Sequence, residues 1–258
     1  VNVKSAVPLT LNGSNWEGTN TLNVTQATTS ADLIAAATTD VNVSGVTGTV
    51  DVDGGKNVNV TVAATGTTTT IGATTGATGT VTVKDTAQAG SAIAVDGGTD
   101  VTITASGNTG GAIGVGQTLA NDLPTGAVTV TSTGSYTDSG NTTMGAIAID
   151  GGSTVTVTQS AGITDAQKTA ALTDGTNFTV TQGAITIKGD GNTTTVNVKQ
   201  DATVAAVAIG AAAVAGSTQT QTVTFNALAA GNTVTVNNLT FTASKDLTAA
   251  EVAAAFAN

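Results

Sequence analysis

The sequence predicts an all-β protein: a parallel β-solenoid (β-helix) with about 20–22 residues per coil, closed by a small C-terminal strand–strand–helix module. Three observations carry this reading. Short runs alternate apolar and polar residues, as in Thr154-Val155-Thr156-Val157-Thr158, which puts Val155 and Val157 on one face and the threonines on the other. The same unit recurs, an alternating run, then Asp-Gly-Gly, then a second run: GTVDVDGGKNVNVTV from Gly48, SAIAVDGGTDVTITASG from Ser91 and GAIAIDGGSTVTVTQSAG from Gly145. Aromatic residues make up only 2% of the chain, too few for the thick core between two packed sheets. An antiparallel β-sandwich, also made of short strands and frequent turns, is the alternative.

Residues 1–40 are expected to form an N-terminal cap or lead-in segment. Within it Ser30 to Ala37 (SADLIAAA) places a Ser cap before helix formers and reads as a short helix or a coil cap. Residues 41–226 are the repetitive solenoid. Runs before the corners supply first strands at Val50/Val52, Ile71, Ile93/Val95, Ile113/Val115, Ile147/Ile149, Ile185/Ile187 and Val207/Ile209. Runs after them supply second strands at Val58/Val60/Val62, Val81/Val83, Val101/Ile103, Val128/Val130, Val155/Val157, Val196/Val198 and Val223/Phe225. Spacings widen after Val115, so Leu119 to Pro124, Ser132 to Thr143 and Ile163 to Asn177 read as loops inserted into single coils. A lone two-strand unit buries too little surface to fold, whereas stacked coils bury one column of Val and Ile. Residues 227–258 form the terminal module. Thr233 to Val236 and Leu239 to Thr242 flank Asn237-Asn238 as a hairpin. Thr248 caps a helix from Ala249, Glu251 holds the capping-box position, and Val252 and Phe256 share a face. The module is expected to continue into a longer protein, and the start at Val1 without Met suggests a processed chain or a piece of one.

Composition narrows the chemistry. Thr makes up roughly a fifth of the residues, well above ordinary usage. The abundance of β-branched residues and the 9% charge argue against disorder. A net charge of −10 and seven scattered lysines, with no Arg, exclude a phosphate-binding surface and so nucleic acid. No run approaches a membrane span. No Cys is present, which excludes disulfides and thiolate metal sites.

Thr-, Ala- and Gly-rich wording without Cys, full of DGG corners and VTVT strands, resembles bacterial surface-layer proteins and related secreted β-strand-repeat proteins of Gram-negative bacteria. The segment from Asn232 to Phe256 (TVTVNNLTFTA…LTAAEVAAAF) is similar to a module of such proteins. The resemblance implies an extracellular, self-assembling structural role at the bacterial cell surface, often with calcium and often with non-classical secretion. The Gly-Gly-x-Gly-x-Asp run of calcium-binding nonapeptide solenoids does not occur, so the resemblance does not place calcium on these residues.

Candidate sites follow from the corners. Asp53, Asp96, Asp150 and Asp190 each sit in a Gly-containing turn and are the candidate Ca2+ ligands. Turn geometry alone explains both residue types, since Gly accepts positive φ and Asp satisfies backbone N–H groups. Catalysis is not expected. There is no His, and the carboxylate pairs Asp51/Asp53 and Asp96/Asp100 lack the Arg and aromatic partners of a carbohydrate-cleaving cleft. The expected partner is the protein itself, in a lattice or fibre, with cell-surface polysaccharide as a second. Two other functions stay open. An adhesin stalk or passenger would present the loops at Leu119–Pro124 and Ile163–Asn177 to a host surface or polysaccharide. An ice-binding face would use Thr102/Thr104, Thr129/Thr131 and Thr154/Thr156/Thr158. It requires Thr-x-Thr to recur in register on consecutive coils, and the uneven spacing after Val115 argues against that.

Overall fold

The computed structural model describes residues 1–26, 29–119, 122–135, 141–162, 179–202, 223–236 and 239–256. In chain order the strands are β1 (Asn2–Ser5) and β2 (Leu9–Gly13), β3 (Thr21–Gln26) and β4 (Ser30–Ala35), β5 (Asp40–Ser44) and β6 (Thr49–Gly54), and β7 (Val58–Val62) and β8 (Thr68–Ile71). There follow β9 (Val81–Asp85) and β10 (Ile93–Val95), β11 (Val101–Ser106) and β12 (Ile113–Val115), then β13 (Ala127–Ser135), β14 (Asn141–Thr143) and β15 (Ile147–Asp150). The last are β16 (Thr154–Gly162), β17 (Thr179–Thr181), β18 (Ile185–Lys188), β19 (Thr195–Ala202), β20 (Val223–Thr224), β21 (Thr233–Val236) and β22 (Leu239–Thr242), before helix α1 (Ala249–Ala255).

The strands stack into two parallel sheets. One has eleven strands in the order β1-β3-β5-β7-β9-β11-β13-β16-β19-β21-β22, and the other nine in the order β2-β4-β6-β8-β10-β12-β15-β18-β20. Each coil contributes one strand to each, which is the parallel β-solenoid. Within a strand, burial alternates as the period of two demands, for example buried–exposed–buried along β7 and β9. The inward residues form one column of Val and Ile, from Val41 and Val50 through Ile103, Ile149 and Val157 to Ile187.

Register holds although coil length does not. Val41 pairs with Val58, 17 positions on, whereas Thr154 pairs with Thr195, 41 positions on. The pairing is undisturbed although the span between partners more than doubles. Residues of the longer coils make a third small sheet, in which β14 pairs with β17 in parallel.

Several sequence expectations change. Ser30–Ala35 is a strand, not a helix: Ala31, Leu33 and Ala35 point inward with period two, and β4 pairs with β2 and β6 on either side. The neighbouring rungs override a local helix propensity that is only a weak prior. Residues 1–40 supply the first rungs of the same two sheets. Val223, assigned from its alternation to the second-strand sheet, pairs with Ile185 in the first-strand sheet. Local alternation is the same in both sheets, and only the partner rung distinguishes them. Val207 and Ile209 lie outside the described residues, as does Ile163–Asn177. Ser132 does not start a loop; β13 continues to Ser135.

The C-terminal module follows the sequence reading. β21 stacks on β19 as a further rung and then pairs antiparallel with β22. Thr248 caps α1, with the reciprocal Glu251 contact of a capping box. Phe256 stacks on Phe225 at 5.1 Å and meets Phe241 edge-on at 6.1 Å, while Val252 is buried. No described helix is long and apolar enough to cross a membrane.

The column makes the core sensitive to single truncations. Ile149→Ala, at a fully buried position between Val115 and Ile187, is expected to lower unfolding free energy by about 2–5 kcal/mol in chemical denaturation.

Candidate functional site

The two regions with candidate function are the Asp-Gly-Gly corners and the outer face of the eleven-stranded sheet. At the corners the glycines come first. Gly54/Gly55, Gly97/Gly98 and Gly151/Gly152 all have positive φ, between 75° and 90°. Two successive residues of that conformation suit only Gly. Space is also closed, since a Cβ on Gly97 would stand 2.6 Å from Gly76 Cα.

The aspartates hold the next coil. Asp53 Oδ1 accepts from the N–H groups of Thr74 and Thr75 at 2.8 and 3.3 Å. Asp96 Oδ1 repeats this one corner later, with Thr118 and Leu119 at 2.9 and 3.0 Å. Asp96 is 2% exposed, so this carboxylate is a structural plug rather than an open ligand. Asp150 faces Lys188 directly across the ladder and pairs with it at 3.6 Å. Asp190 closes its own turn, accepting from Asn192 N–H at 2.8 Å.

Extending the strand registers by one residue puts Asp53, Gly72, Asp96, Gly116, Asp150 and Lys188 in a single column. Acid alternates with glycine, so successive carboxylates lie two rungs, about 10 Å, apart. Asp190 falls two positions beyond Lys188 and stands outside the column. A calcium ion takes six to eight oxygens. Among the described residues no three acidic groups gather into one cluster, and one oxygen each of Asp53 and Asp96, Oδ1, already accepts from two backbone amides. These four residues do not fit a shared ion, and each has a structural partner.

The carboxylate pairs weighed for catalysis are also placed. Asp51 stacks on Asp32 across the register and neighbours Asp53. Burial, then the charges of Asp53 and Asp32, push its carboxyl above the usual range. Asp96 and Asp100 diverge, because Asp100 Oδ1 accepts from Ala127 N–H at 2.7 Å on the far side of the corner.

The described part of the Leu119–Pro124 loop is stapled to the corners. Asp122 Oδ2 accepts from Gly76 N–H at 3.1 Å, Gly97 N–H donates to Asp122 O at 2.6 Å, and Gly152 N–H donates to Pro124 O at 2.8 Å. One short loop thereby ties together three coils. Inside the solenoid, a polar spine runs along one corner. Asn108 Nδ2 donates to Gln88 Oε1 at 2.8 Å and Ser132 Oγ at 3.2 Å, and Gln200 Nε2 donates to Gln159 Oε1 at 2.7 Å. Extending the period-two pattern past Val130, Val157 and Val198 would have found Ser132, Gln159 and Gln200 facing inward.

Asp85 lies at the same corner, fully buried, with Oδ1 bonded to Ala87 N–H at 2.9 Å and Oδ2 without a partner. Burial raises its carboxyl above the ordinary value.

The outer sheet face carries two columns. One reads Asn2, Asn23, Asn42, Asn59, Thr82, Thr102, Thr129, Thr156, Asn197. The other reads Lys4, Thr25, Ser44, Thr61, Lys84, Thr104, Thr131, Thr158, Lys199. Asn23 Nδ2 donates to Asn2 Oδ1 at 2.7 Å and Asn42 Nδ2 to Asn23 Oδ1 at 2.9 Å, an amide ladder along the first rungs. Thr-x-Thr recurs in register on β11, β13 and β16, so the uneven coil lengths do not break it.

Two outcomes test the corners. Gly97→Ala should cost about 1–3 kcal/mol from backbone strain alone, read as a lowered Tm. For Asp85, a native pKa above the unfolded one means the native state binds more protons. Stability therefore falls as pH rises from the unfolded through the native pKa. Asp85→Asn is expected to raise Tm at pH 7, with the gain over the parent shrinking to nothing near about pH 4.

Comparison with protein-family models, with curated proteins and with solved structures returns no match.

Proposed function

We propose that this chain is an extracellular scaffold, a subunit or part of a bacterial surface layer or surface fibre, that works by self-association of a rigid β-solenoid. The observation that carries the reading is the ladder itself: strands stack rung on rung in register over one column of Val and Ile, a stiff rod whose surface repeats from coil to coil. The low-charge Thr, Ala and Gly surface permits close packing of copies. Calcium, in this reading, bridges acidic surfaces of neighbouring copies rather than filling one corner. The adhesin reading draws less support. The described part of the Leu119–Pro124 loop is tied to the corners, and Ile163–Asn177 lies outside the described residues.

Electron microscopy and sedimentation of the folded chain, with and without millimolar calcium, decide the matter. Sheets or fibres are expected, and a monodisperse monomer under both conditions would sink the proposal.

A further inference from the structure

We propose that the threonine lattice on the eleven-stranded sheet binds ice. The proposal is independent of the scaffold reading and rests on four observations about Thr102, Thr104, Thr129, Thr131, Thr156 and Thr158. First, the six are in register: Thr102, Thr129 and Thr156 stack in one column, and Thr104, Thr131 and Thr158 in the other. Parallel pairing sets the rungs about 4.8 Å apart, and alternate residues of one strand about 6.7 Å apart. The result is a two-dimensional grid of methyl and hydroxyl groups with a fixed repeat in both directions, which only a ligand with a regular planar repeat can match throughout.

Second, the hydroxyls are open. Among the described residues none of the six bonds to a protein group, in contrast to the amide ladder of Asn2, Asn23 and Asn42 on the same face. Thr102 and Thr104 are exposed, and the other four are half-buried. Third, the side chains are pre-set. A β-branched residue on a strand has few χ1 choices, so little freedom remains to be lost when the grid meets an ordered surface. Fourth, the grid is free of charge. Lys84 and Lys199 bound it in one column, while Thr82 and Asn197 bound it in the other. A charge within the grid would orient water around itself and break a lattice-like layer. Spaced methyls with interleaved hydroxyls let a water layer keep ice-like order while anchoring it to the protein.

A polysaccharide is the competing planar repeat. The two columns hold Asn, Thr, Ser and Lys and offer no aromatic ring on which a sugar could stack, so ice is the better fit.

The test is ice recrystallisation inhibition and ice-crystal shaping by the folded 258-residue chain. The parent should inhibit growth. Thr129→Tyr with Thr131→Tyr, which keeps β propensity but breaks the plane, should raise the concentration required by about tenfold or more. Thr129→Ser with Thr131→Ser, which removes only the methyls, should also lose activity. Ala112→Tyr, exposed just before β12 of the opposite sheet, should not. Circular dichroism and Tm report that each variant is folded. The proposal is overturned by folded parent protein that neither shapes ice nor slows recrystallisation, or by a Tyr variant as active as the parent. It is equally overturned if the parent binds insoluble cellulose or chitin through these threonines without acting on ice.

Discussion

In a parallel solenoid the backbone hydrogen bonds run between rungs, not within them. Each strand is satisfied only by the strands above and below, so every residue stands about 4.8 Å from its counterparts in the adjacent coils. That spacing governs what each column can contain. Inward, it lets Val and Ile stack into one continuous core from β3 to β19. Outward, it penalises like charges, because two carboxylates on adjacent rungs meet at close range. The corner column shows the consequence. Asp53, Asp96 and Asp150 are separated by Gly72 and Gly116, and the column ends on the compensating Lys188. Asp32 over Asp51 breaks the rule, and the carboxyl of Asp51 is pushed up by burial first, then by the charges of Asp53 and Asp32.

The same constraint explains what fills the surface in place of charge. Thr and Asn are neutral, tolerate stacking on themselves and satisfy an exposed strand face. Asn does so by bonding along the column, as between Asn2, Asn23 and Asn42. The threonines from Thr102 to Thr158 in the two columns make no such bonds along the column among the described residues. One outer sheet therefore carries two textures, an amide ladder on the first rungs and a hydroxyl grid farther along. The corners serve the stacking too. The Asp-Gly-Gly corners at Asp53 and Asp96 turn their own chain and hold the turn of the next coil, so these two aspartates act as clamps between rungs. Asp122 and Pro124 extend that clamping over several coils.

Much of this was legible in the residues. The alternation in Thr154–Thr158 named its inward valines, the paired glycines marked corners, and Thr248 with Glu251 marked a helix start. These are local signals: period-two burial, a φ that only Gly adopts, and a cap contained within four residues. The Ser30–Ala37 expectation failed for the complementary reason. Its helix formers state a local preference, and pairing with β2 and β6 outweighed it.

The sequence by itself determined which segments extend, where they turn and which side chains enter the core, because each depends on near neighbours in the chain. Only the tertiary structure decided which residues stand over one another. It set Thr-x-Thr in register across coils of unequal length and moved Val223 to the other sheet. It carried Asp122 back to Gly76 and separated Asp190 from the Asp150 column. Each is a relation between rungs tens of residues apart, and the spacing between rungs varies because loops absorb length without disturbing the ladder. The physical reason is that hydrogen bonding between strands fixes register in space, and no periodicity along one strand records how long the chain travels before it returns.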